Sequence, residues 1–169
     1  MPVINLQTYI NASVEDCFNL SRSVDLHLQS MQSHQEKAIA GTITGKMSLH
    51  DTVTWKATHF GLPFKMTVQI TEMQHPHYFV DEMVNGPFKW FRHYNAFEAK
   101  GNGTVMTDEF VFRSPLGWLG KLVDRWVLKA YLHKLLQQRN EVIKQAAERR
   151  LIKNIKTCHC ERSVATASV

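Results

Sequence analysis

The sequence predicts an α+β domain in which a cupped antiparallel sheet is closed by one long C-terminal helix, with two short helices after the first strand. Three observations predict it. Trp90 to Phe97 and Val105 to Arg113 alternate as two strands joined by Gly101-Asn102. Val53 to Ala57 and Phe64 to Ile70 form a second alternating pair around Gly61-Leu62. From Trp118 to about Arg150 there is no Pro and no Gly after Gly120, while apolar residues recur at helical spacing.

Each element follows from local signals. Ile4, Leu6, Thr8 and Ile10 alternate as a first strand, and Ser13-Val14-Glu15-Asp16 resembles a capping box opening a helix through Cys17, Phe18 and Leu20. A second helix is expected over Val24 to Met31, then a strand near Glu36 to Ala40, a turn-prone stretch from Gly41 to Gly45 and an edge segment Lys46 to Leu49. A tight turn at Gly61-Leu62 would pair Trp55 with Val68 and Ala57 with Met66, putting Val53, Trp55 and Ala57 on one face with Phe64, Met66, Val68 and Ile70. Tyr78 to Val84 reads as a strand with ambiguous register, turned by Asn85-Gly86-Pro87 into Trp90 to Phe97. The first half of the long helix, Trp118 to Tyr131, is apolar almost all round, whereas the second half is amphipathic. A cavity or gate is expected under the first half.

The chain of 169 residues fits one domain, expected over 1–150, with 151–169 read as a disordered tail because it lacks periodicity and an apolar face. No apolar run reaches the length of a bilayer span. The start Met1-Pro2-Val3-Ile4-Asn5 lacks a secretory pattern, and three cysteines (Cys17, Cys158, Cys160) form no framework, so a cytoplasmic protein without a structural disulfide is expected. The net charge of +5 concentrates in Lys144, Arg149, Arg150, Lys153 and Lys156 without interleaved aromatics. That is the pattern of a solvated helix end rather than a nucleic-acid site, and no nucleic-acid partner is expected.

The candidate site comes from the hairpin at Gly101-Asn102. A two-residue loop there sets Lys100 opposite Gly103, hence Phe91 opposite Phe112, His93 opposite Phe110, Asn95 opposite Asp108 and Phe97 opposite Met106, all on one face. Apolar walls with a few convergent polar groups are the composition of a ligand cavity. The expected ligand-contacting residues are Trp55, Met66, Val68, Phe91, His93, Asn95, Phe97, Asp108, Phe110 and Phe112, with Trp126 from the helix. His93, Asn95 and Asp108 can orient a ligand carbonyl or hydroxyl, serve as a general base with its partner, or form a self-satisfied polar cluster. His59, His75 and His77 read as surface turn residues, Cys17 as a small buried hydrophobe, and Cys158-His159-Cys160 cannot close a tetrahedral metal site alone. No cofactor and no metal site are expected.

Gly86-Pro87-Phe88-Lys89-Trp90-Phe91-Arg92-His93-Tyr94-Asn95-Ala96-Phe97 resembles the Gly-Pro-Phe, aromatic, His-x-His-x-Phe pattern of the START-like (SRPBCC) ligand-binding superfamily. Thr104-x-Met106-x-Asp108 and Ser114 to Gly120 resemble its last strand and the entry to its long helix, and the likeness in element order spans about Val3 to Glu148. The resemblance implies the helix-grip fold, a sheet wrapped round the C-terminal helix. It also implies binding of a small hydrophobic molecule: a lipid, quinone, isoprenoid or aromatic polyketide. Asn95 replaces the second His of the pattern, which argues against a two-histidine metal or proton-transfer site. Ligand binding without turnover is the expected function. The alternatives are a cyclase or dehydratase using His93 and Asp108, and a protein-interaction module, such as the cell-division role described for START-like domains fused to epimerase-type proteins. For a lipid carrier, transient contact with an anionic membrane surface stays open.

Overall fold

The computed structural model describes residues 1–59, 61–113 and 128–165, with side chains described through Ile152. Seven strands form one antiparallel sheet in the order β1-β7-β6-β5-β4-β3-β2. They are β1 (Val3–Ile10), β2 (Lys37–Gly41), β3 (Thr52–His59), β4 (Leu62–Gln74), β5 (Tyr78–Asn85), β6 (Trp90–Lys100) and β7 (Gly103–Arg113). Helices α1 (Val14–Ser21) and α2 (Val24–Ser30) follow β1, and α3 (Lys129–Ala165) ends the described chain. This is the predicted helix-grip architecture: a curved sheet with a long C-terminal helix and short helices after the first strand.

Local chemistry sets the helix starts. Ser13 Oγ accepts from the Asp16 amide at 3.1 Å and donates to the Asp16 carboxylate at 2.7 Å, which satisfies an otherwise orphaned donor of α1. Ser23 caps α2 in the same way, accepting from Leu26 N at 3.3 Å.

The β6–β7 hairpin has the expected register throughout: Phe91↔Phe112, His93↔Phe110, Asn95↔Asp108, Phe97↔Met106 and Lys100↔Gly103. Gly101 opens the loop with φ of 58°, a left-handed conformation that glycine adopts at no steric cost. From Trp90 to Phe97 on β6 and from Thr104 to Arg113 on β7 burial alternates residue by residue, so one face is core and the other turns toward solvent.

The β3–β4 register corrects the expectation. Trp55 pairs with Met66, Ala57 with Phe64 and Val53 with Val68, and the strands close at His59↔Leu62. Gly61, with φ of 76°, ends the loop instead of opening it. Both registers differ by two residues and therefore show the same side chains to the same face, so the apolar pattern could not separate them. Of the expected edge segment Lys46 to Leu49, only an isolated bridge between Ser23 and Lys46 forms.

Irregular pairing between β4 and β5, at Thr67/Val68 and Ile70/Glu72, lies behind the ambiguity of Tyr78 to Val84. The second irregularity moves the β4 face from Ile70 to Met73, which pairs with Phe79, and Asp81 pairs with His93. Phe79 and Asp81 thus join the concave face.

α3 rests mainly on β1, α1 and α2. Its stripe Leu136, Ile143 and Ala147 is buried in the same core cluster as Ile4 and Ile10 of β1 and Cys17 and Phe18 of α1. Because the helix leans on one edge of the cup, its middle is left with space between sheet and helix. The expected helix start over residues 118–127, including Trp126, lies outside the described residues. The helical backbone continues through Ala165, beyond the end expected near Arg150.

Candidate functional site

A cavity of about 520 Å³ occupies that space. Trp55, Ala57, Phe64, Met66, Val68 and Ile70 form one wall from β3 and β4, while Phe79, Phe91 and Phe110 continue it across β5, β6 and β7. Leu132, Leu135 and Leu136 of α3 face them, and Val24, His27 and Met31 close the α2 side. The rings are interlocked. The ring centroids of Phe91 and Phe110 lie 5.0 Å apart, Phe88 meets Phe91 edge-on at 6.1 Å, and His27 lies tilted by 32° over Trp55 at 4.4 Å.

Among the expected contact residues, Trp55, Met66, Val68, Phe91, His93 and Phe110 line the cavity. Asn95, Phe97, Asp108 and Phe112 are buried behind this wall. Phe97 packs on Phe18 of α1 at 5.6 Å, and Phe112 lies between Phe88 and Phe110 at 5.8 and 5.9 Å. Trp126 lies outside the described residues.

At one side of the cavity the walls turn ionic. His93 is held between two carboxylates: Nε2 lies 2.9 Å from Asp108 Oδ1 and Nδ1 lies 3.3 Å from Asp81 Oδ1. Arg139 reaches in from α3, donating to Asp108 Oδ1 at 3.3 Å, to the Ser21 carbonyl at 3.0 Å and to Asn95 Oδ1 at 3.3 Å. Asn140 donates to Asp108 Oδ2 at 2.6 Å and to Thr8 Oγ1 at 3.2 Å. Asn95 donates to Asp81 Oδ1 at 3.1 Å. The network ties β1, β5, β6, β7, α1 and α3 into one polar knot inside an apolar core.

The electrostatics follow from the partners. Burial disfavours the charged His93 ring, but the Asp81 charge and the Asp108 hydrogen bond outweigh it and push its pKa up to about 9. Burial likewise opposes ionisation of Asp108, and the His93 hydrogen bond and charge, together with Arg139, outweigh it and hold the carboxyl below its ordinary range. His93 is therefore an imidazolium at neutral pH, and Asp108 a carboxylate.

Sequence reasoning missed Asp81, Arg139 and Asn140. Arg139 and Asn140 stand one turn after Leu136 and one turn before Ile143, on the face that α3 turns inward, so two polar residues inside an apolar stripe were the available signal.

The histidines expected at the surface divide. His75 is half-exposed, 3.0 Å from Glu15, with its ring edge-on to Phe18 at 4.9 Å. His59 instead lines the cavity, its Nδ1 2.8 Å from the Tyr131 hydroxyl, and burial, with His34 nearby, holds its pKa below the ordinary value. Cys17 is buried, which pushes its thiol up to about 11 and makes it a poor nucleophile.

No family model matches the sequence, and no curated protein matches it. Solved structures do. TTHA0849 from Thermus thermophilus superposes with a TM-score of 0.68 at 16% identity, covering 86% of this chain and 99% of that one. A START superfamily protein from Mycobacterium smegmatis gives 0.66 at 11% identity, over 87% and 97% of the two chains. Major latex-like protein 151 from Panax ginseng gives 0.64 at 16% identity, over 86% and 97%. At such identities the likeness is one of fold. The chain has the START-like helix-grip fold that its Gly86 to Phe97 segment resembles.

Proposed function

We propose that this protein binds a small, mainly apolar molecule between its sheet and its C-terminal helix, as a carrier or sensor. The observation that carries the reading is the cavity of about 520 Å³, walled mostly by aromatic and aliphatic side chains, with the His93 cluster, Arg22 and a His27–Glu36 pair as the charged groups in its lining. Its size lies within the range of about 300 to 1,000 Å³ typical of small-molecule pockets, and that lining is what such pockets use to hold and orient a ligand. The expected contacts Trp55, Met66, Val68, Phe91, His93 and Phe110 supply the wall, while Asn95, Phe97, Asp108 and Phe112 support it from behind.

The cluster favours binding over turnover. A general base needs an unprotonated nitrogen free to reach substrate, whereas both His93 nitrogens face carboxylates and the ring stays charged up to about pH 9. Native mass spectrometry of protein purified without detergent should reveal a retained small molecule, and Nile red should bind the emptied protein saturably at one site. Absence of both a retained mass and a saturable site would remove this reading.

A further inference from the structure

The two acids of the ionic cluster are used differently. Asp108 is fully buried with both oxygens occupied, Oδ1 by His93 and Arg139 and Oδ2 by Asn140. Asp81 lines the cavity, its side chain 19% exposed, and takes both of its bonds on Oδ1, from His93 Nδ1 and Asn95 Nδ2. Its Oδ2 has no bond among the described residues. The charges cancel within the cluster, since His93 and Arg139 carry two positive charges against the two of Asp81 and Asp108.

We infer that the cavity takes an apolar ligand with a neutral, hydrogen-donating head, an alcohol or phenol, whose O–H donates to Asp81 Oδ2. This assignment rests on the proposed cavity binding and adds the chemistry of the ligand's head. A hydroxyl gains a charge-assisted bond there and brings no net charge into a low-dielectric space. A carboxylate held at Asp81 would meet the unpaired Asp81 oxygen while His93 and Arg139 beside it are already committed, and the other arginine of the lining, Arg22, already donates to the Met47 carbonyl and to Asn19 Oδ1, so burial of the anion at Asp81 goes uncompensated. An ammonium head would satisfy Asp81 but add an unbalanced positive charge next to His93 and Arg139.

The test is competition of dodecan-1-ol, dodecanoate and dodecylammonium against Nile red on the full chain at pH 7, the alcohol below its solubility limit and the two ions below their micelle concentrations. The alcohol should bind about tenfold more tightly than either ion. Asp81→Asn should weaken the alcohol by about tenfold and narrow its advantage over dodecanoate, a ratio that a merely structural role of Asp81 would not move. Should that variant fail to fold, the order of the three heads on wild-type protein decides alone. An ion binding as tightly as the alcohol, or an unchanged ratio in folded Asp81→Asn, overturns the inference. Failure of Nile red to bind at all would instead strike the cavity reading, and this inference would fall with it.

Discussion

His93 and Asp108 face each other across the β6–β7 hairpin with Nε2 and Oδ1 2.9 Å apart, although their Cα atoms are not register partners. Asp108 pairs in register with Asn95, and the histidine reaches it diagonally, because Asn95 turns instead to Asp81 and Arg139. A buried, charged diagonal pair therefore sits where the cavity wall meets the core, and its energetics are measurable.

Stability should depend on pH through this pair with opposite signs at the two ends. His93 has a folded-state pKa raised to about 9 from 6.5, so its contribution is complete below 6.5 and is lost as pH rises through 9. Asp108 is lowered from 3.8, so its contribution is complete above 3.8 and is lost as pH falls through its lower folded value. Thermal denaturation across pH should show a plateau between those ordinary values, and His93→Gln should flatten the alkaline limb. A wild-type midpoint that rises between pH 7 and 9 would contradict a charged His93.

Asp108→Asn keeps the shape of the side chain but leaves His93 and Arg139 as buried cations short of a partner. Loss of one member of a buried ion pair costs about 3 kcal/mol or more, and urea unfolding should register that loss. A change below ~0.5 kcal/mol would mean that the network adds nothing to stability.

Phe110→Arg addresses the wall. Phe110 lines the cavity, packs on Phe91 at 5.0 Å and lies 5.4 Å from the charged His93, so a guanidinium there fills the space and adds charge beside a cation. Nile red binding should vanish while far-UV circular dichroism stays that of wild type. Retained binding in a folded variant would place the probe elsewhere.

The end of the chain offers a test of where the packed part of α3 stops. The last buried residue of the described α3 stripe is Ala147, and Ile152 is 53% exposed. Truncation after Lys156 should leave the melting temperature and probe affinity unchanged. Deleting α3 from Lys129 onward removes Arg139 and Asn140 from Asp108 and uncovers the aromatic sheet face, and that chain should aggregate, as light scattering would show.

The fold was legible because its evidence is local. Ser13 caps α1, Gly101 turns the β6–β7 hairpin, and once that turn is fixed the period of two places Phe91, His93, Asn95 and Phe97 on the same face as Met106, Asp108, Phe110 and Phe112. The β3–β4 register was two residues off without moving a side chain to the wrong face, since both registers obey the same alternation.

The order of the elements, the inward face of each regular strand and half of the polar cluster are thus written in local patterns of residues. Which inward residues became cavity wall and which became core was settled by packing, because that depends on where α3 comes to rest, and it rests on β1, α1 and α2. Packing also brought Asp81, Arg139 and Asn140 to His93 and Asp108. Asp81 lies on β5 opposite Ile70, beside the extra β4 residue Thr71 that shifts the pairing of the two strands, and Arg139 is 31 residues from Asp108 in the chain, a separation that only the packing of helix on sheet can close.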